Sequence, residues 1–182
     1  LTDNFATILQ GGTINGVVVQ LVGTSQSITV NNGGAITLQG GSSAQSNVIG
    51  GSGNPNNLFR GSFANITSRG DAQQIDFVNG GAINLTGGTV GSNNVAIIQA
   101  GFGTQTISGA TSIALTGGAT GGSQHGAISG GANEGNYARI LSSAVDQTIS
   151  AGTITVTGGA NGTNNSARID ASRADTSRTL LR

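Results

Sequence analysis

Three short phrases recur along this chain in the same order, and a chain that repeats itself at intervals of a few tens of residues folds by stacking its copies. The first phrase is of Gln-x-Ile type: Gln26-Ser27-Ile28, Gln74-Ile75, Gln105-Thr106-Ile107 and Gln147-Thr148-Ile149. The second alternates apolar and small polar residues and ends in Gly-Gly: Ile36-Thr37-Leu38-Gln39-Gly40-Gly41, Ile83-Asn84-Leu85-Thr86-Gly87-Gly88, Ile113-Ala114-Leu115-Thr116-Gly117-Gly118 and Ile154-Thr155-Val156-Thr157-Gly158-Gly159. The third has the form Asn-x-Ala-x-Ile: Asn94-Val95-Ala96-Ile97-Ile98, Asn136-Tyr137-Ala138-Arg139-Ile140 and Asn165-Ser166-Ala167-Arg168-Ile169. The second glycine of the pair precedes an Asn by six residues at Gly41/Asn47, Gly88/Asn94 and Gly159/Asn165. Extra Gly-Gly pairs, Gly50-Gly51 and Gly130-Gly131, lengthen the first and third units, so long and short units alternate.

Alternation with period two marks half-buried strands, and no stretch shows the 3.6-residue period of a helix. Strands this short are unstable alone and need in-register neighbours. The reading is therefore all-β: a parallel β-solenoid (β-helix) with about three short strands per rung, rungs stacking about 4.8 Å apart. Ile28, Ile75, Ile107 and Ile149 then form one core column, and Leu38, Leu85, Leu115 and Val156 another. Ala96, Ala138 and Ala167 suit a tight corner, and Thr86, Thr116 and Thr157 an outward ladder.

Glycine supplies 33 of the 182 residues, far above the ordinary share of about 7%, and this abundance needs a reason. A Gly-Gly pair after each strand predicts a corner with positive φ. Asn at the start of the third phrase tolerates the same left-handed region and can stack as an amide ladder.

One domain over 1–182 is expected, with an irregular first rung over 1–24 in which Ile14, Val17, Val19 and Leu21 are candidate strand residues. Units follow at about 25–72, 73–103, 104–145 and 146–172, then a charged tail at 173–182. Residues 51–72 depart from the repeat and read as an insertion. They hold the one proline, Pro55, with Leu58, Phe59, Arg60, Phe63 and Arg69. Such a segment is a flap over a sheet face or a projecting loop that meets a partner.

The chain contains no cysteine and no lysine, and its formal net charge is zero. Disulfides and Cys-ligated metals are excluded, and no electrostatic footprint for nucleic acid exists. No apolar run is long enough for a membrane-spanning helix. With Leu1 in place of an initiator Met, and no signal-peptide pattern, the chain reads as a mature or excised piece of a longer exported polypeptide.

The wording Gln-Thr-Ile-Ser, Ile-x-Leu-Thr-Gly-Gly, Asn-x-Ala-Arg-Ile resembles the repeats of filamentous-haemagglutinin-type proteins exported by two-partner secretion in Gram-negative bacteria. The resemblance covers residues 25–172 and is clearest over 104–172. It implies a right-handed parallel β-helix at the cell surface, with a role in adhesion, aggregation or biofilm matrix. No binding residue carries over, because the matched positions are structural.

Parallel β-helices also host polysaccharide-binding and polysaccharide-degrading proteins, which is the alternative reading. A glycosidase needs two carboxylates about 5–9.5 Å apart. Asp71/Asp76 and Asp170/Asp175 are close in sequence, but neither pair recurs at equivalent positions of adjacent units. His125 is the lone histidine and lacks the partners of a metal site. Thr153-Thr155-Thr157 has the Thr-x-Thr form of an ice-binding face, but Asn84 and Ala114 break the array. No catalytic, metal or cofactor site is expected.

The expected function is therefore a secreted structural or adhesive fibre. Its partners would be copies of itself, neighbouring repeats, or a surface glycan or protein receptor. Residues that break the repeat are the candidate contacts: Phe59, Arg60 and Phe63 in the insertion, and Arg168, Arg173, Arg178 and Arg182 toward the carboxyl end.

Overall fold

The computed structural model describes residues 5–10, 12–14, 17–19, 25–42, 63–90, 94–119, 135–143, 146–161 and 165–171. Among these the regular structure is all strand, with no helix. In chain order the strands are β1 (Phe5–Gln10), β2 (Gly12–Ile14), β3 (Val17–Val19), β4 (Ser25–Val30), β5 (Ala35–Gln39), β6 (Phe63–Ser68) and β7 (Ala72–Phe77). They continue with β8 (Ala82–Thr86), β9 (Ala96–Ala100), β10 (Thr104–Thr116), β11 (Ala138–Ser142), β12 (Asp146–Thr157) and β13 (Ala167–Ala171).

Two parallel sheets carry the fold. The smaller has the order β1-β6-β9-β11-β13. The larger has the order β4-β7-β10-β8-β5, with β12 along the other side of β10. β2 and β3 form an antiparallel hairpin that joins neither sheet. Each repeat unit gives one tier: β4, β5 and β6; then β7, β8 and β9; then β10 and β11; then β12 and β13. β1 lies one strand beyond β6, with Ala6 opposite Ala64 and Ile8 opposite Ile66.

The expectation of a right-handed parallel β-solenoid with about three short strands per rung is corrected. The strands are parallel, but they fall into two sheets curled into a half-barrel, a parallel layout otherwise usual in α/β folds. The reason lies at the junction of the first two phrases. In the early units a turn separates them, with Asn32 at φ 56° and Gly33 at 70°, and Asn79 at 66° and Gly80 at 81°. Later units have no Asn-Gly there, and the chain runs on as single strands of 13 residues in β10 and 12 residues in β12. Gly109 (φ 76°) absorbs the extra residue of β10 as a bulge, where the register with β12 shifts between Ile107 and Ala110.

The core lies between the two sheets and is made of columns. Ile28, Ile75, Ile107 and Ile149 are in register. So are Leu38, Leu85, Leu115 and Val156. Ala64, Ala96, Ala138 and Ala167 face them from the smaller sheet with Ile66, Ile98, Ile140 and Ile169. Thr86, Thr116 and Thr157 are in register and point away from this core. The positions that alternate with these core residues are mostly polar, Asn65, Thr67, Gln99, Arg139, Arg168 and Asp170 among them, but Ile97 and Leu141 also lie there and are buried.

Depth in the stack sets what a side chain contributes. Ile107 is fully buried between Ile75 and Ile149. Ile107→Ala is expected to cost about 3 kcal/mol, the transfer term plus an unfilled cavity. Val156→Ala in the last tier is expected to cost below about 1 kcal/mol, because Val156 is half exposed. Urea unfolding of both variants checks the contrast.

Candidate functional site

Two polar columns run through the stack and give it a direction. In the first, Gln26, Gln73 and Gln105 are buried and Gln147 half-buried. Gln73 Nε2 donates to Gln26 Oε1 (2.8 Å), Gln105 Nε2 to Gln73 Oε1 (2.7 Å) and Gln147 Nε2 to Gln105 Oε1 (2.7 Å). The other N–H of each amide bridges to the smaller sheet, reaching Thr67 O, Gln99 O, Leu141 O and Asp170 O in turn. Each amide therefore ties two tiers and two sheets together, which offsets its burial. The register makes Gln73 the member of this column, not Gln74. Gln74 is exposed and donates to Asp76 Oδ2 on the outer surface.

The second column is Asn94, Asn136 and Asn165. Asn94 N donates to Asn136 Oδ1 (3.0 Å), and Asn136 N to Asn165 Oδ1 (3.1 Å). None of the three has positive φ; among the described non-glycine residues only Asn32 and Asn79 do. The Gly-Gly pairs at 87–88, 117–118 and 158–159 are likewise not left-handed, which corrects the expected reason for them. They are glycine because backbone stacks on backbone there. A Cβ on Gly87 would meet Gly118 N at 2.7 Å and Asn136 O at 2.8 Å. A Cβ on Gly118 would meet Asn136 Cβ and Gly88 O, each at 2.4 Å. Gly88 N, Gly118 N and Gly159 N donate to the carbonyls of Asn94, Asn136 and Asn165, closing the path between the two sheets.

Both ends of the stack are open strand edges among the described residues. At one end β4 pairs only β7 and β5 only β8; at the other β12 pairs only β10 and β13 only β11. The last tier exposes its share of the core: Ile154 and Val156 are each 46% exposed, against 1% and 0% for Ile113 and Leu115 one tier below. β4, β5 and β12 contain no Lys, Arg or Pro and a single charge, Asp146. Edges that resist pairing carry those residues. Gln147 Oε1 ends the glutamine column with no donor among the described residues, and Gln26 Nε2, at the opposite end, has one N–H beyond its bond to Thr67 O.

The residues singled out from the sequence are scattered. Phe63 begins β6, its backbone paired with Phe5. Arg168 lies in β13, in register with Arg139, whose Nε donates to Asp170 Oδ2 at 2.7 Å. Phe63 and Arg168 share the smaller sheet but are separated by β9 and β11. Phe59, Arg60, Arg173, Arg178 and Arg182 lie outside the described residues, as do His125, Glu134, Asp175 and Asn47. Segment 51–72 supplies β6, so the third strand of the first tier is Ala64-Asn65-Ile66. Asp76 is committed to surface hydrogen bonds, its Oδ1 accepting from Ser108 Oγ at 2.6 Å. Among the described residues no group of three or more His, Cys, Asp or Glu is placed to hold a metal ion, and no helix is long and apolar enough to cross a membrane.

No family model, curated protein or solved structure matches the chain.

Proposed function

We propose that this chain is a structural or adhesive fibre element of the cell surface, a subunit of a filament or a stretch of the stalk of a large adhesin or biofilm-matrix protein. The observation that carries the reading is the open last tier, a β12 edge whose single charge is Asp146, with Ile154 and Val156 half exposed where the two interior tiers bury their equivalents Ile83, Leu85, Ile113 and Leu115. A column that ends in exposed apolar side chains, and in an amide acceptor with no donor among the described residues, is stabilised by another tier. Neutral net charge removes long-range repulsion between copies. Secretion and kinship with filamentous-haemagglutinin-type proteins belong to this proposal, supported by the repeat wording.

Purified chain is expected to form filaments visible by electron microscopy as concentration rises. The double variant Ile154→Lys/Val156→Lys is expected to keep monomer stability within about 1 kcal/mol, as half-exposed positions allow, and to lose the filaments. Wild-type chain that stays monomeric at high concentration overturns the filament form. The stalk form is overturned if the native polypeptide recovered from the cell surface has only the mass of this chain.

A further inference from the structure

The two ends of the stack are chemically complementary but do not fit as they stand. Among the described residues, Gln147 Oε1 has no donor at one end and Gln26 Nε2 has an N–H to give at the other. β12 and β4–β5 carry the same column residues: Gln147 with Gln26, Ile149 with Ile28, Ile154 with Ile36, Val156 with Leu38. A second copy that set its β4 and β5 against β12 would continue every column in register. Its β6 shares a tier with β4 and β5, so it would be set against β13, and that side of β6 is already occupied by β1.

Residues 170–182 do not repeat the wording of a further tier. Nine residues separate the core isoleucines Ile66 and Ile75, Ile98 and Ile107, and Ile140 and Ile149; the same step from Ile169 reaches Arg178. Seven residues lead from each of those isoleucines to Gln73, Gln105 and Gln147; the same step from Ile169 reaches Thr176. Neither a core side chain nor a ladder amide stands where the next tier needs one, and a charge in the core column is costly.

β1 and β13 are interchangeable in wording. All strands of the smaller sheet share Ala-x-Ile at the same register: Ala6-Thr7-Ile8, Ala64-Asn65-Ile66, Ala96-Ile97-Ile98, Ala138-Arg139-Ile140 and Ala167-Arg168-Ile169. β1 is also followed directly by the β2–β3 hairpin, which joins neither sheet.

We infer that copies join tail to head by strand exchange, with β13 of one copy replacing β1 on β6 of the next while β12 pairs that copy's β4 and β5. β1 is then a built-in plug that holds the chain monomeric until a second copy displaces it. This inference rests on the fibre reading and adds its polarity, register and control.

The chain has no cysteine, so introduced thiols report cleanly. Parallel neighbours lie about 4.8 Å apart, within the roughly 4.4–6.8 Å that a disulfide spans. Chains carrying Arg168→Cys are mixed with chains carrying Asn65→Cys, or separately with chains carrying Thr7→Cys, assembled under reduction and then oxidised. Strand exchange predicts a crosslinked dimer from the Asn65→Cys mixture and none from the Thr7→Cys mixture. In a single chain carrying both Thr7→Cys and Asn65→Cys, register partners in β1 and β6, oxidation is expected to abolish assembly and reduction to restore it. This locked chain leaves β13 untouched, so it decides the matter independently if Arg168→Cys weakens that strand. Crosslinking through Thr7→Cys instead, filaments with neither crosslink, or a locked chain that still assembles would overturn the exchange and leave the fibre reading standing. No assembly by wild-type chain overturns both.

Discussion

Gln73→Met is expected to destabilise the chain by about 3 kcal/mol, while the same substitution one residue on, Gln74→Met, changes stability by less than about 0.5 kcal/mol. Methionine keeps the length and most of the volume of glutamine, so the comparison isolates hydrogen bonding. Gln73 is 1% exposed and sits at the centre of the amide column. Its loss strips the donor from Gln26 Oε1 and from Gln99 O, and the acceptor from Gln105 Nε2. Each buried group left unsatisfied costs about 1–3 kcal/mol. Gln74 faces water, which replaces its bond to Asp76. For a chain of this length about 3 kcal/mol lowers Tm by roughly 10 °C, so parallel calorimetric melts separate the two variants. Equal effects at both positions would remove the column as a determinant of stability.

That pair of neighbours also shows where the sequence stops being legible. Gln73 and Gln74 are identical in type and adjacent, and the phrase Gln-x-Ile fits only Gln73 while Gln-Ile fits Gln74. Which one points inward depends on register, and register depends on the pairing with Ile28 and Ile107. The core columns were legible because one residue type recurs with period two in unit after unit, and stacking like on like leaves little choice. The number of sheets was not legible. It turns on whether Asn31-Asn32-Gly33 makes a turn and Ser108-Gly109-Ala110 a bulge, which are small differences in backbone preference. β6 was hidden for another reason. Ala64-Asn65-Ile66 follows an irregular stretch, and Asn47 carries the expected spacing from Gly41.

The candidate site was legible only in kind. Exposed sheet edges follow from any finite stack of strands, so self-association could be expected from the repeat itself. The contact residues could not be found by looking for departures from the repeat. Ile154 and Val156 match the repeat, and they stand out because among the described residues nothing pairs with β12 beyond them. A residue that is ordinary in every interior tier becomes the contact at the last one.

Gly158→Ala tests monomer and polymer together, with Gly118→Ala as its counterpart. Gly118→Ala is expected to destabilise by more than about 3 kcal/mol. Its Cβ would stand 2.4 Å from both Asn136 Cβ and Gly88 O, while the bonds from Gly87 N to Thr116 O and from Gly117 N to Thr157 O hold the tiers at that spacing. Backbone cannot yield as a flexible side chain does, so the strain spreads into both neighbouring tiers. At Gly158 the nearest atom to an added Cβ is Asn165 O at 3.9 Å, and φ is not left-handed. Alanine there is expected to raise monomer stability by about 0.5 kcal/mol through the unfolded chain. In a stack continued by a second copy, Gly158 would become what Gly40, Gly87 and Gly117 already are. Their added Cβ atoms meet Gly88 N, Gly118 N and Gly159 N of the next tier at 2.7, 2.7 and 2.6 Å. Gly158→Ala is therefore expected to melt slightly higher as a monomer and to fail to assemble, measured by thermal denaturation at low concentration and sedimentation at high concentration. A Gly158→Ala chain that assembles like wild type would show that no second tier stacks on this end, because no in-register neighbour leaves room for that methyl group.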